Sequence, residues 1–112
     1  MVQVIREPTA QAQMEQMAEA FDGVMIKLAV DVARGFLAGG SGLHADCEEA
    51  LLEDGSRQED VWGADWYPLE GKVAFESLIN IRPRQGNFGL EVEDPALRER
   101  IEGIARRLLE VG

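Results

Sequence analysis

The stretch "VMIKLAVDVARGFLAGG", Val24–Gly40, decides most of the fold that this sequence predicts. Its first half alternates apolar and other side chains, which is the period of a strand with one buried face. The apolar face consists of Ile26, Leu28, Val30 and Val32. "RGFLAGG" predicts a second strand after a tight connection, and strands joined by so short a link pair antiparallel. We therefore predict a β-hairpin.

Two helices are predicted towards the ends of the chain. The first follows Pro8-Thr9 and ends at Gly23 as a C-cap. Its inner face is formed by Met14, Met17, Ala18 and Phe21. The second starts with Asp94 as N-cap and Pro95 as the first helical residue. Its buried stripe is formed by Leu97, Ile101, Ile104 and Leu108.

A short third helix is predicted after the hairpin, in "SGLHADCEEALLEDGS". Asp46 precedes Glu49 by three residues, which is the spacing of a capping box. This places Cys47 at the first helical position, and Gly55 ends the helix after about two turns.

The remaining stretches predict strands. "VQVIRE" is the first, and "EDVWGADWYP" places Trp62, Ala64 and Trp66 on one face. After the "PLEG" turn, "KVAFESLINI" alternates apolar side chains toward a core: Val73, Phe75, Ile79 and Ile81. A last short strand carries Phe88, Leu90 and Val92. Residues 1–112 thus predict a single α+β domain, with a mostly antiparallel sheet of five or six strands and three helices packed mainly on one face.

Composition restricts the classes of function. The chain has 112 residues and a net charge of -10, and an acidic surface is a poor binder of nucleic acid. Residues 1–56 carry 3 basic and 10 acidic side chains, against 8 and 11 in residues 57–112, so we expect any anion site in the second half. No apolar stretch is long enough for a membrane helix, and Arg6-Glu7 interrupts any signal peptide. One cysteine agrees with a reducing compartment, and we predict a cytoplasmic location.

Two long phrases, "LAVDVARGFLAGGSGLHADCEEALLEDGSRQEDVWGADWYP" and "FESLINIRPRQGN", carry a resemblance to a known family. The chain resembles a family of short uncharacterised bacterial and archaeal proteins, a domain of unknown function, over nearly its whole length. The helix before "MIKLAVDV" and the closing "EDPALRERIEGIARRLLE" share in it. The resemblance implies a small stand-alone domain and assigns no activity, cofactor or partner to any residue.

The loop "RPRQGN" is the strongest candidate for a ligand site. Arg82 and Arg84 flank a proline, while Gln85 and Asn87 add amide donors, which together could clamp a planar anion. The two arginines could equally pair with the protein's own carboxylates. Trp62 and Trp66 could provide an apolar wall for a ligand, although core packing is the commoner role for tryptophan.

The only histidine and the only cysteine, His44 and Cys47, are the candidate catalytic residues. His44 could act as a general base oriented by Asp46 or Glu49, with Cys47 as nucleophile. The neighbouring carboxylates disfavour a thiolate, so a buried inert thiol is the plainer interpretation. One His and one Cys do not make a zinc site and the acidic run lacks calcium-loop spacing, so we expect neither metal nor cofactor.

Three functional hypotheses follow from these candidates. The first is a binding or regulatory module that recognises a small anionic ligand or a partner protein through Arg82, Arg84 and Asn87. The second is a hydrolase or transferase acting on an anionic substrate with His44 as general base, which requires His44 and the "RPRQGN" loop to line one pocket. The third is a structural interaction protein. The sequence leaves open whether the domain forms a homodimer.

Overall fold

The computed structural model describes residues 2–110, and within them five strands form one antiparallel sheet. The strands are β1 (Gln3–Ile5), β2 (Ile26–Asp31), β3 (Phe36–Gly39), β4 (Val61–Tyr67) and β5 (Lys72–Ala74). The helices are α1 (Gln11–Ala18), α2 (His44–Glu53) and α3 (Pro95–Leu109). The strand order is β1-β3-β2-β4-β5, with every neighbouring pair antiparallel. This confirms the predicted α+β class and the β2–β3 hairpin.

The register of the strands gives the sheet one apolar and one mixed face. Leu28 of β2 lies opposite Gly39 of β3 and Ala64 of β4, and residues two apart along each strand share its face. The members of this apolar face include Ile5, Ile26, Leu28, Val30, Leu37, Trp62 and Trp66, all of them buried. Helix α3 covers this face, where Arg106 stacks on Trp66.

Helix α2 covers the opposite face, on which the strands carry polar side chains between small ones. Asp65 of β4 contacts His44 at the start of α2. Asp31 of β2 accepts a hydrogen bond of 2.6 Å from Ser56, just after the helix. Buried polar groups cost free energy unless they are paired, so these contacts fix where α2 lies on the sheet. No helix within residues 2–110 has both the length and the apolar composition of a membrane span.

The strand predicted over "KVAFESLINI" is wrong beyond Ala74, and the predicted sixth strand at residues 88–92 is absent from the described chain. Residues 75–94, here called the irregular segment, contain short 3-10 turns and two isolated bridges, Glu76–Glu91 and Arg82–Asn87. The physical reason lies in Asn80, which is fully buried. Its side chain bonds to both backbone groups of Gly63 and thereby replaces a strand ladder.

The predicted capping box of α2 is also wrong. The helix begins at His44, and Leu43 occupies the N-cap position without a side-chain cap. Asp46 lies inside the first turn, where its carboxylate accepts a hydrogen bond of 2.6 Å from Ser41. Cys47 is therefore one turn into the helix. Asp94 caps α3 through the Ala96 N–H and Gly55 follows α2 with a positive φ, as predicted. Helix α1 ends at Ala18 rather than at Gly23, because a 3-10 turn, Glu19–Phe21, follows it.

Candidate functional site

Arg82, the main residue of the predicted anion clamp, is 9% exposed and all five of its N–H groups have acceptors. Three acceptors are backbone carbonyls, those of Gln58, Val61 and Ile79. The other two are side-chain oxygens, of Glu48 at 3.2 Å and Gln85 at 3.4 Å. No N–H of Arg82 is left for a ligand.

The guanidinium of Arg82 also lies 4.6 Å from the ring centre of Trp62, which is itself 4% exposed. Burial lowers the pKa of Arg82 from its usual value, and the Glu48 carboxylate acts in the opposite direction. An arginine so enclosed ties α2, β4 and the irregular segment together. Its contacts are those of internal pairing, the alternative that the sequence left open.

Asn87 and Gln85 of the predicted ligand site also have internal partners, whereas the indole N–H of Trp66 has none within residues 2–110. The Asn87 side chain donates to three backbone carbonyls, of Asn80, Gly89 and Glu91, and accepts from the N–H of Glu93. Gln85 donates to the carbonyl of Glu59 at 2.9 Å. Trp66 is 2% exposed, and its indole N–H has no partner among the described residues.

Arg84 differs from Arg82 because it is exposed and has no carboxylate within 4 Å among residues 2–110. It lines a hollow of about 590 Å³ together with Arg82, Gln85 and Ile81. Only Arg84 can offer free guanidinium donors there. Trp62, Gln85 and Asn87 border a different hollow, which is lined by the carboxylates of Glu59, Glu93 and Asp94.

Cys47 is completely buried beneath α2, and its thiol lies 3.6 Å from the carbonyl of Lys27. Burial is the largest cause that raises the pKa of this thiol, to about 11, and Asp46 adds to it. Thiolate is the reactive form of cysteine, so this thiol is a poor nucleophile at neutral pH. The nucleophilic role of Cys47 lacks support from its environment.

His44 lines a hollow of about 300 Å³ between the start of α2, β4 and the irregular segment, here called the His44 hollow. Its polar lining consists of Lys27, His44, Asp65, Glu76 and Ser77. Neither Asp46 nor Glu49, the residues predicted to orient His44, belongs to this lining.

Asp65 is the residue that orients His44. The ring Nε2 of His44 lies 2.8 Å from Asp65 Oδ1 and 3.1 Å from the carbonyl oxygen of Ala64. Both neighbours are acceptors, so Nε2 carries the proton. In the neutral imidazole, Nδ1 is then an acceptor, and it has no hydrogen-bond partner within residues 2–110. This tautomer suits a hydrogen-bond acceptor or a general base.

Ser77, His44 and Asp65 are the residue types of a hydrolase triad, and all three line the His44 hollow. No hydrogen bond joins Ser77 to His44 in the described chain. Ser77 is 4% exposed, and its Oγ instead accepts from the N–H of Ile79 at 3.2 Å. The hollow therefore contains an oriented histidine without an aligned nucleophile. No cluster of three metal-ligating side chains occurs in residues 2–110.

Exposed apolar side chains lie between and beside the His44 hollow and the hollow next to Arg84. Leu78, in the 3-10 turn of the irregular segment, is 77% exposed and lines both the His44 hollow and the hollow beside Arg84. Leu43 and Leu90 line the first, and Ile81 lines the second. These four residues, Leu43, Leu78, Ile81 and Leu90, are here called the Leu78 ridge.

Sequence reasoning missed Asp65, Glu76 and the Leu78 ridge. The expected strand register would have turned Ile81 inward, which concealed its exposure. The signal for Asp65 was present: a lone carboxylate within the strand "VWGADWY" must meet a partner when that face is covered.

A family model described as "Protein of unknown function (DUF5674)" matches residues 3–108. No curated protein and no solved structure matches the chain.

Proposed function

Since the chain belongs to the DUF5674 family of proteins of unknown function, we propose a role from its surface: it is a binding module that docks an apolar segment of a partner protein on the Leu78 ridge. The observation that carries the proposal is the exposure of this ridge between two hollows. Leu78 is 77% and Leu43 60% exposed. Apolar side chains that gather around concave surface mark interaction sites, whereas scattered ones do not.

The hollows beside the ridge supply polar partners of both kinds. In the His44 hollow, Nδ1 of His44 accepts, Lys27 donates, and Glu76 accepts. An extended or turn-like segment can place one apolar side chain on each side of Leu78 and direct its backbone N–H groups to these acceptors. The volumes of about 300 and 590 Å³ are large enough to take side chains of a docked segment.

The partner is a different protein rather than a second copy. A net charge of -10 on a chain of this size opposes close approach of two copies. The small anionic ligand, the other option considered, is less well supported. Arg82 has no spare donor, and Glu76 and Glu59 stand at the rims of the two hollows.

A displayed random-peptide library, selected on the wild-type protein, tests this role. We expect enriched peptides to share apolar residues and to perturb the amide signals of residues 43–45 and 76–82 in NMR titrations. Leu78→Ser should weaken their binding at least about tenfold, because a buried leucine contributes about 1.5–3 kcal/mol.

Leu69→Ser is the matched control, since Leu69 is 85% exposed in the β4–β5 turn and lines neither hollow. Its affinity for the peptides should stay within about twofold of wild type, since the scattered exposed leucine carries no contact. Peptides that bind Leu78→Ser as well as wild type, or a library that yields no binder, would contradict the proposal.

The "RPRQGN" loop does not line the His44 hollow, so the enzyme that combined the two is not supported. A second candidate function, acid–base catalysis by His44 without that loop, is favoured by the tautomer that Asp65 and Ala64 impose. A base at Nδ1 could activate water or a substrate hydroxyl in the His44 hollow. Hydrolysis of nitrophenyl esters and phosphates by wild type, His44→Gln and Asp65→Asn separates this role from binding alone. Equal rates in all three proteins would exclude His44 as the base for these substrates.

A further inference from the structure

Four of the 11 basic residues meet at the turn between β2 and β3, residues 32–35, although the strongest anion-site candidate from the sequence was the "RPRQGN" loop. Arg34 lies in the turn, and its guanidinium stacks on Phe36 at 4.5 Å from the ring centre. The guanidinium of Arg6, which directly follows β1, stacks on the same ring at 4.8 Å. From the other side of the sheet, Arg100 and Arg107 of α3 reach the same turn. In a chain of net charge -10 this is a local concentration of positive charge.

The two pairs of arginines differ in how their charge is compensated. Asp54 forms ion pairs with both Arg6 and Arg34, and the resulting hydrogen bonds lower the pKa of Asp54. Arg100 and Arg107 have no carboxylate within 4 Å in the described part of the chain. The uncompensated charge therefore belongs to the α3 pair.

Backbone carbonyls of the turn hold both α3 arginines in place. Nε of Arg100 donates to the carbonyl of Val32 at 3.0 Å, and Nη2 of Arg107 donates to the carbonyl of Gly35 at 2.6 Å. Each guanidinium has five N–H donors, so most of them remain open to solvent. Exposed arginines are usually mobile, and these anchors reduce the entropy lost when a ligand is bound.

Gly35 brings the two guanidinium groups to one place. Its φ of 78° favours glycine, and a Cβ at this position would lie 3.8 Å from Nη2 of Arg100. Arg107 bonds to the carbonyl of the same residue. Two guanidinium groups that both contact one residue can together bind an anion with several oxygens on one central atom.

We propose that Arg100 and Arg107 form an oxyanion site at the β2–β3 turn and that its ligand is a phosphate group. A dianionic phosphate offers oxygens to both guanidinium groups, whereas one carboxylate has only two oxygens in one plane. This site lies apart from the Leu78 ridge and does not depend on the proposed function. The exposed setting predicts weak binding that falls as salt rises.

The test is a ¹⁵N-NMR titration of the intact chain with inorganic phosphate and, separately, with citrate, each at constant ionic strength adjusted with chloride. We expect phosphate to produce saturable shifts at residues 32–36 and 100–107. Arg100→Gln/Arg107→Gln should weaken this binding at least about tenfold, which corresponds to the loss of one or two charged hydrogen bonds.

Arg57→Gln/Lys72→Gln is the matched control, because it removes the same charge from exposed side chains elsewhere and should leave phosphate binding within about twofold. Circular dichroism checks that both double variants keep the wild-type fold. Shifts that never saturate, or an equal loss in the control, would overturn the site. Saturable binding of citrate alone would overturn its assignment to phosphate.

Discussion

The irregular segment and the β2–β3 turn use arginine in opposite ways. In the irregular segment, every N–H group of Arg82 donates a hydrogen bond to a carbonyl or a side chain of the same protein. At the turn, Arg100 and Arg107 each give one bond to the backbone and keep the others. The number of arginines in a loop therefore says little about ligand binding, because what matters is how many donors remain after folding.

The largest expected effect comes from Arg82→Ala. Removal of the guanidinium leaves Glu48 without its partner and three carbonyls without donors, and breaking such a buried pair costs about 3–5 kcal/mol. Urea unfolding followed by circular dichroism measures the loss. The same change at Arg84 or Arg100 should alter the free energy of unfolding by less than about 0.5 kcal/mol. Similar losses for Arg82 and Arg84 would remove the distinction between the two regions.

Gly63→Ala tests how closely the irregular segment packs on the sheet. A Cβ at Gly63 would lie 2.4 Å from Cβ of Ser77. Overpacking of this kind costs about 1–3 kcal/mol in the free energy of unfolding. In a double-mutant cycle with Ser77→Gly, the loss should shrink by about 1 kcal/mol or more, because the clashing atoms are gone. Additive effects of the two changes would contradict the contact.

The buried thiol of Cys47 should make the stability of the protein depend on pH. Burial raises its pKa to about 11 from the usual 9.0 of a cysteine thiol, so the folded state holds the proton more tightly than the unfolded chain. Stability from this group is complete below pH 9 and is lost between pH 9 and 11, by about 1.4 kcal/mol per pH unit. Urea unfolding of wild type and Cys47→Ala at pH 8 and pH 10 isolates this contribution. An identical pH dependence in the two proteins would contradict it.

Leu78→Ser should have the smallest effect on stability. Because Leu78 is 77% exposed, its replacement should change the free energy of unfolding by less than about 0.5 kcal/mol. Urea unfolding beside wild type measures the change. A loss above about 1.5 kcal/mol would mean that Leu78 belongs to the core, and the ridge would cease to be a binding surface.

Much of the fold followed from local sequence signals. The alternation around Leu28 predicted the β2–β3 hairpin, and Asp94-Pro95 predicted the start of α3. Gly55 predicted the end of α2. These features depend on neighbours in sequence, where backbone sterics and capping act directly.

The irregular segment could not be predicted because its apolar alternation competes with long-range hydrogen bonds. Ile79 and Ile81 have the period of a strand, but Asn80 between them bonds to Gly63 and pulls the chain into a turn. The predicted partners of His44 were wrong for a related reason. Asp65 meets His44 only after folding, 21 residues away in sequence, whereas Asp46 and Glu49 lie close in sequence and face elsewhere.

Hydrogen exchange at the arginine Nε–H groups tests the central claim. This claim is that the guanidinium of Arg82 is bonded within the protein, whereas that of Arg84 is open to solvent. A ¹⁵N spectrum near neutral pH, assigned with Arg82→Lys and Arg84→Lys, measures both. We predict a slowly exchanging signal for Arg82, whose Nε donates to the carbonyl of Ile79 at 3.0 Å, and rapid exchange for Arg84. Equally rapid exchange of the two groups would contradict the account.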